Sequence, residues 1–330
     1  MAILLGILAG IVVVLGAAFG LLVVRFRRNQ YRASQVWHTR SLELHPLDLD
    51  PVERLTITPL VEARTAGGEL RGESGVSYLV EADGARLLFD LGASGQGEPP
   101  SSLQYNAKAL DVDLELVDAV VISHRHHDHV GGLRAQRAHS FALPTDRLGK
   151  EGVPVYLPEP LQHPTADVQV VDGPRLLVPG VATTGPIPRA LFLLGWTPEQ
   201  ALAVLVAGRG IVLIVGCGHQ GVHHLVERVE TLFDEPLYGL VGGLHFPITG
   251  LALQRFGGAS RPPWQPLTKE DVQRAIRYLQ DKGLKRVALS PHDSCDWALG
   301  AFQEAWGSDF EVVAVGRPIE FSANGRQEDN

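Results

Sequence analysis

The chain has 330 residues, 45% of them hydrophobic and 20% charged, with a net charge of −8 and two cysteines, Cys217 and Cys295. That length and apolar share suffice for a sizeable core, while the acidic balance, with no basic block in the folded part, argues against a nucleic-acid partner. The two cysteines read as free thiols in a reducing compartment rather than as one disulfide.

The first element is an uncharged apolar run from Ala2 to Val24. At about 1.5 Å per residue it spans roughly 34 Å, enough to cross a bilayer core. Arg25, Arg27, Arg28 and Arg32 follow, and no acidic residue occurs before Glu43. A cleaved signal peptide carries its positive charge ahead of the apolar run; here it comes after. The reading is an uncleaved single-pass membrane anchor over 1–28, with the C-terminal side in the cytoplasm by the positive-inside rule; an exported domain is the alternative. Residues 29–54, with Pro46 and Pro51, read as a juxtamembrane linker without apolar periodicity.

Leu55 to Thr58 alternates like a strand. Gly75 to Val80 and Arg86 to Asp90 read as a hairpin turning at Asp83-Gly84. Ala93 to Ser102 is rich in Gly, Pro and Ser and reads as a mobile loop, and Asn106 to Leu116 as a helix. Val117 to Ile122 is a compact buried strand. It runs into Ser123-His124-Arg125-His126-His127-Asp128-His129-Val130-Gly131-Gly132-Leu133, where a new helix begins. Four imidazoles and a carboxylate thus sit on one strand-to-helix turn. His124 and His126 are two apart and project to the same side of an extended segment. Asp128 and His129 are adjacent and aim at a second nearby point. Neutral imidazole and carboxylate are ligands that zinc and similar cations prefer.

Beyond the motif, Val153 to Leu157, Val168 to Val171 and Arg175 to Val178 read as strands. Ala203 to Val206 and Ile211 to Val215 form a second hairpin, ending in Gly216-Cys217-Gly218-His219-Gln220-Gly221, with a helix over Val222 to Phe233. Leu237 to Leu240 is a strand ending at Gly242-Gly243-Leu244-His245. Between His245 and the next helix, the insertion Gln254 to Leu267, with Phe256 and Trp264, reads as a lid or a membrane-facing segment. Thr268 to Lys282 is an amphipathic helix, with Thr268 as cap and Asp271 at capping-box spacing. Lys285 to Leu289 is a strand ending at Ser290-Pro291-His292, Asp296 to Trp306 a helix, and Val312 to Val315 a last strand. The tail, 322–330, reads as disordered. His219, His245 and His292 all fall at strand ends, the same kind of place as the first cluster. A mostly imidazole site draws its ligands from distant loops of this sort.

The His-x-His-x-Asp-His pattern at a strand end, followed by Gly-Gly, resembles the signature of the metallo-β-lactamase superfamily. The resemblance runs from about Leu55 to Phe321. It implies an α/β (α+β type) fold: an αββα sandwich over 55–321, preceded here by the transmembrane helix, with one or two metals at one edge between the sheets. It implies that Asp90 lies below the metals and holds the histidine loop by hydrogen bonds. One branch is resembled further. Pro179-Gly180-Val181, Thr184-Gly185-Pro186-Ile187-Pro188-Arg189, Gly216-Cys217-Gly218-His219 and Gly242-Gly243-Leu244-His245 are similar, in order, to motifs of the dihydropterin phosphate synthase-like branch of the methanopterin pathway. Two features depart from it. Only Ala190 to Gln200 fills the space of a longer acidic segment, and the terminal His is followed by Asp293-Ser294-Cys295 rather than directly by Cys.

Many superfamily members place a bridging Asp where this chain has Gly216-Cys217. The implied sets are therefore His124, His126 and His219 for one ion and Asp128, His129 and His292 for a second. Cys217 is a possible soft ligand, and His245 a possible ligand or substrate contact. The cofactor is Zn2+, one ion or two, with Mn2+ or Fe2+ as alternatives. The chemistry implied is a metal-bound hydroxide, aided by Asp128, attacking a small anionic ester, most naturally a phosphoester. Arg189 is a candidate fork for its anionic group. A lactone or carboxylic ester hydrolase and a non-catalytic membrane sensor are the alternatives. The redox di-iron type is disfavoured by His at 126, where that chemistry uses Glu.

Overall fold

The computed structural model describes residues 1–94, 100–144, 148, 153–249, 255 and 258–323. Residues 95–99 of the loop expected to be mobile, residues 254, 256 and 257 of the insertion, and residues 324–330 of the expected disordered tail lie outside them. Two seven-stranded sheets stack face to face. The first is built from β1 (Arg54–Val61), β2 (Ser77–Ala82), β3 (Ala85–Phe89), β4 (Ala119–Val121), β5 (Pro154–Leu157) and β6 (Asp167–Val170), with the late strand β16 (Ile319–Ser322) on the outer edge of β1. The second comprises β7 (Arg175–Val178), β8 (Val181–Thr183), β11 (Leu202–Val206), β12 (Gly210–Val215), β13 (Leu237–Gly242), β14 (Arg286–Leu289) and β15 (Phe310–Val312). Between these stretches of chain, β9 (Ile187–Leu191) and β10 (Gly195–Glu199) form a separate hairpin.

Alternation along the strands makes the layers. Leu55, Ile57, Val80, Leu87 and Phe89 of the first sheet face Val204, Val212, Ile214 and Val241 of the second, all buried. Outside the first sheet lie α2 (Ser102–Ala109) and α3 (Leu133–Arg137); outside the second lie α4 (Val222–Leu232), α5 (Lys269–Asp281) and α6 (Asp296–Trp306). The order is therefore αββα. A fully buried aliphatic or aromatic side chain contributes roughly 1.5–3 kcal/mol. A core of this size can hold crowded imidazoles at its rim that would not stay together alone.

Helix α1 (Ala2–Leu42) changes the reading of the N-terminal segment. The apolar run is helical, but the helix continues through the expected linker, leaving only Glu43 to Glu53 before β1. The reason is packing. Phe26, Ala33 and Trp37 recur at helical spacing; Phe26 and Ala33 are buried and Trp37 packs against the core. Trp37 stacks on His224 at 4.4 Å between centroids and lies 5.1 Å from the Arg228 guanidinium.

Other differences have local causes. The expected helix over Asn106 to Leu116 begins earlier and ends at Ala109, because Ser101 and Gln104 form a capping box and Asp111 adopts φ 55°. Leu114–Leu116 is a separate 3₁₀ turn. The last expected strand, Val312 to Val315, begins earlier, at Phe310. The short fill after the Ile-Pro-Arg motif is the β9–β10 hairpin. Its prolines, Pro188 and Pro198, stand opposite each other, which a two-stranded ribbon tolerates and a central strand does not. Ser322 pairs with Arg54, so the tail begins later than read.

Candidate metal centre

Strand ends build the site. β4 delivers Ser123 and the histidine loop, β12 delivers Cys217 and His219, β13 delivers His245 and β14 delivers His292. Three ring nitrogens converge: His124 Nε2 is 2.8 Å from His126 Nδ1, which is 3.2 Å from His219 Nε2. Ligand nitrogens around a tetrahedral zinc, each at about 2.1 Å from the ion, stand roughly 3.4 Å apart, so this triad has nearly the span such an ion requires. Beside it, Asp128, His129, Cys217 and His292 bring one ligand atom each within 4.8 Å of one another. Cys217 Sγ lies 3.1 Å from His129 Nε2 and 3.2 Å from His292 Nε2. The same sulfur also groups with His124 and His219. The thiol thus stands between the two sets, where sequence reasoning found no bridging carboxylate. Both cysteines are free.

The supporting groups fix which ring nitrogens face inward. Asp90 is fully buried with φ 63°, a backbone state uncommon outside glycine. Its Oδ1 accepts from the Ser123 N–H at 2.6 Å, and its Oδ2 accepts from Ser123 Oγ at 2.7 Å. The same Oδ2 stands 2.7 Å from His129 Nδ1, so one proton belongs there and Nε2 is the nitrogen left to face a cation. Ser123 Oγ, having given its proton to Asp90, accepts from His124 Nδ1 at 2.9 Å and frees that Nε2 as well. Gly216 is required beside this relay, because any side chain there would meet Ser123.

Electrostatics follow from burial. Desolvation holds His124 and His219 well below the ordinary histidine range and brings His126 and His292 to about 3. Burial alone would lower His129, but Asp90 and Asp128 outweigh it and raise its pKa to about 9. Burial would raise Asp128, yet His129, His126 and His292 bring it down to about 2. The site therefore offers neutral imidazoles at His124, His126, His219 and His292, an ionised Asp128 carboxylate, and a His129 whose second proton a divalent cation would displace, a donor set that fits such an ion.

The remaining candidates separate. His245, at φ 52°, lies against His219 with centroids 4.5 Å apart and the rings tilted by 54°. Its Nδ1 is 4.0 Å from Asp293 Oδ2, and neither ring nitrogen has a hydrogen-bond partner among the described residues. With Cys217 and Asp293 it forms a third cluster of ligand atoms within 4.8 Å. Arg189 does not sit in a loop. It lies on β9 opposite Thr197, facing a cavity of about 250 Å³ against α1 with Trp37 and His224. Desolvation and then Arg261 lower its pKa.

Sequence reasoning missed three supporting carboxylates. Glu199 is buried and accepts the N–H groups of Gly218 and His219, both at 2.8 Å. Glu62, also buried, accepts from the Tyr78 hydroxyl at 3.0 Å and from Ser290, which in turn contacts His292 Nδ1. Asp293 accepts the His245 N–H at 3.0 Å. The only local signal was a serine one or two residues before a ligand-type histidine, at Ser123 and Ser290.

Comparison with known proteins fits this geometry. The family model for the metallo-β-lactamase superfamily matches residues 70–231. These residues carry a metallo-β-lactamase superfamily domain. A curated relative, the 7,8-dihydropterin-6-methyl-4-(β-D-ribofuranosyl)-aminobenzene-5′-phosphate synthase of Methanocaldococcus jannaschii, is 22% identical over 289 residues, covering 76% of this chain and 90% of the relative. Among solved structures, Tm1679, a metal-dependent hydrolase of the β-lactamase superfamily, aligns with a TM-score of 0.58 at 19% identity, over 81% of this chain and 99% of its own. The metallo-β-lactamase fold protein YhfI from Bacillus subtilis aligns with a TM-score of 0.50 at 14% identity, over 82% and 100%. These structural likenesses show a shared fold.

Proposed function

We propose that this metal-dependent hydrolase is held at the membrane by α1 and cleaves a small anionic ester, a phosphoester in first place. The observation that carries the reading is the pair of adjoining ligand sets at the strand ends, joined at Cys217. His124, His126 and His219 would hold one divalent ion; Asp128, His129, Cys217 and His292 would hold a second. Such ions would supply Lewis acidity and a nucleophilic water near neutral pH. The identity of the metal is left to measurement, with zinc the first expectation from its N and S donors.

The chain's own groups do the rest. Asp128, ionised throughout the neutral range, accepts a hydrogen bond from the attacking water and fixes its direction. His245, with two unpartnered ring nitrogens over the site, donates to the oxygen on which charge develops. Asp90 and Ser123 keep the tautomers of His124 and His129 fixed through the cycle. The phosphoester preference draws support from the relative named as a 5′-phosphate synthase. The anchor draws support from the apolar span of α1, none of it buried against the domain over its most hydropathic window.

The test is a panel of phosphodiester, phosphomonoester and lactone substrates offered to the full chain in detergent and to His126→Ala. Metal-dependent phosphoester turnover, absent in the variant, supports the proposal. Turnover of the lactone alone replaces the substrate class, and no turnover of any member in metal-replete buffer overturns the proposal.

A further inference from the structure

The seam between α1 and the domain has a polarity of its own. Phe192, at the tip of the β9–β10 hairpin, is 2% exposed. Phe19 and Phe26 of α1 and Trp264 close around it, with ring centroids 6.4, 5.3 and 5.7 Å away. Phe19 also meets Trp264 edge-on at 5.9 Å. Arg25 Nη2 donates to the Leu193 carbonyl at 2.6 Å. Beyond this cluster the tip turns outward: Leu193, Leu194 and Trp264 are 41%, 45% and 52% exposed. A single exposed leucine such as Leu176 is ordinary on a protein surface. Three large apolar side chains beside an uncovered apolar helix are not.

The level of this patch along α1 decides its meaning. Phe19 precedes Arg25 by six residues, which at 1.5 Å each places it about 9 Å inside the first charge. The hairpin tip and Trp264 therefore stand level with the apolar run. Arg25, Arg27, Arg28 and Arg32 follow at once along the helix. A groove of about 390 Å³ at the seam is lined by Val23, Phe26, Arg27, Arg261 and Trp264, so guanidinium groups face an indole and apolar side chains. Cations at the headgroups with an aromatic ring at the boundary match an anionic lipid interface.

We propose that the tip Phe192-Leu193-Leu194 and Trp264 insert into the headgroup–acyl boundary of an anionic bilayer, with α1 as the stem. This rests on the anchor reading above. The docking reaches the metal centre. The Phe192 N–H donates to the Ala259 carbonyl at 2.8 Å. A Cβ placed on neighbouring Gly258 would lie 2.6 Å from His245 Cε1 and 2.8 Å from His219 Cε1. The segment covering these imidazoles is thus tied directly to the inserted tip, and the site works beside the headgroup layer.

The experiment uses the full chain in nanodiscs of phosphatidylcholine and phosphatidylglycerol. Single nitroxide labels are placed by Ile11→Cys, Leu194→Cys and Leu176→Cys in a Cys295→Ser background, Cys217 being buried. Power-saturation spectra compare collisions with oxygen and with a water-soluble nickel chelate. The expected result is oxygen-dominated relaxation at 11 and 194, shallower at 194, and nickel-dominated relaxation at 176. A label at 194 as nickel-accessible as that at 176, with 11 in lipid, overturns the docking and leaves the anchor standing. Nickel access at 11 overturns both.

Discussion

Asp90→Asn tests the relay beneath the metal centre, because it removes one charge and adds two donors at unchanged size. Asp90 receives the Ser123 N–H at one oxygen and both Ser123 Oγ and His129 Nδ1 at the other, at 2.6, 2.7 and 2.7 Å. An asparagine oxygen can serve only one side. If it faces the Ser123 N–H, the new NH2 points at His129 Nδ1 and Ser123 Oγ. His129 then carries its proton on Nε2, aimed at Cys217, and cannot ligate there. If the amide flips, its NH2 meets the Ser123 N–H. Either way a fully buried donor loses its acceptor, at a cost of about 1–3 kcal/mol. Loss of such an outer partner typically lowers metal affinity 10–100-fold, or about 1.4–2.7 kcal/mol. The assay is competition with a chromophoric chelator on the full chain, with circular dichroism as a check on folding. The expected variant is folded and binds the ion of the Asp128, His129, Cys217 and His292 set 10–100-fold more weakly. A folded variant with unchanged affinity for every ion refutes the tautomer argument.

Cys217→Ser should abolish a sulfur-to-metal charge-transfer band in the cobalt-substituted protein, read by near-ultraviolet absorption; a band that survives there would assign the sulfur to Cys295. Gly258→Ala should lower both metal affinity and turnover, because the added methyl meets the rings of His245 and His219; kinetics indistinguishable from wild type would contradict the packing. Asp271 closes a capping box with Thr268 and pairs with both Arg261 nitrogens at 3.0 Å. Burial would raise its pKa, but those partners lower it to about 2. A carboxyl lowered when folded stabilises above its unfolded pKa of about 4 and loses that contribution as pH falls toward 2. Asp271→Asn should therefore cost about 1 kcal/mol at pH 7 in urea unfolding, with the difference from wild type closing below pH 4; a gap that stays constant with pH would contradict the assignment.

The strands and helices of the sandwich were legible where local pattern and burial agree. The Val117 to Ile122 run, the Asp83-Gly84 turn and the Thr268 cap each carry a chemical signal within a few residues. The β9–β10 ribbon was not legible, because Pro188 and Pro198 argue against a strand until they are seen to face each other. The lower half of α1 was hidden for a related reason. Its pattern of Phe26, Ala33 and Trp37 is sparse, and only the facing hairpin and α4 make it a packed face. Within the site, the ligand-type histidines announce themselves by spacing. Glu62 and Glu199 do not, since their role comes from burial behind residues far away in sequence. The setting of Arg189 was equally hidden: its neighbours in the chain suggest an anion fork, and only β9 puts it beside a cavity against α1.

The most direct test of the central claim is the divalent metal content of the full chain, measured by elemental analysis after equilibration with excess zinc and removal of free ion, beside His126→Ala and His292→Ala. Two adjoining ligand sets predict two ions per chain, with one fewer in each variant. A wild-type chain that retains no ion, or one whose content is unchanged by both substitutions, would contradict the account.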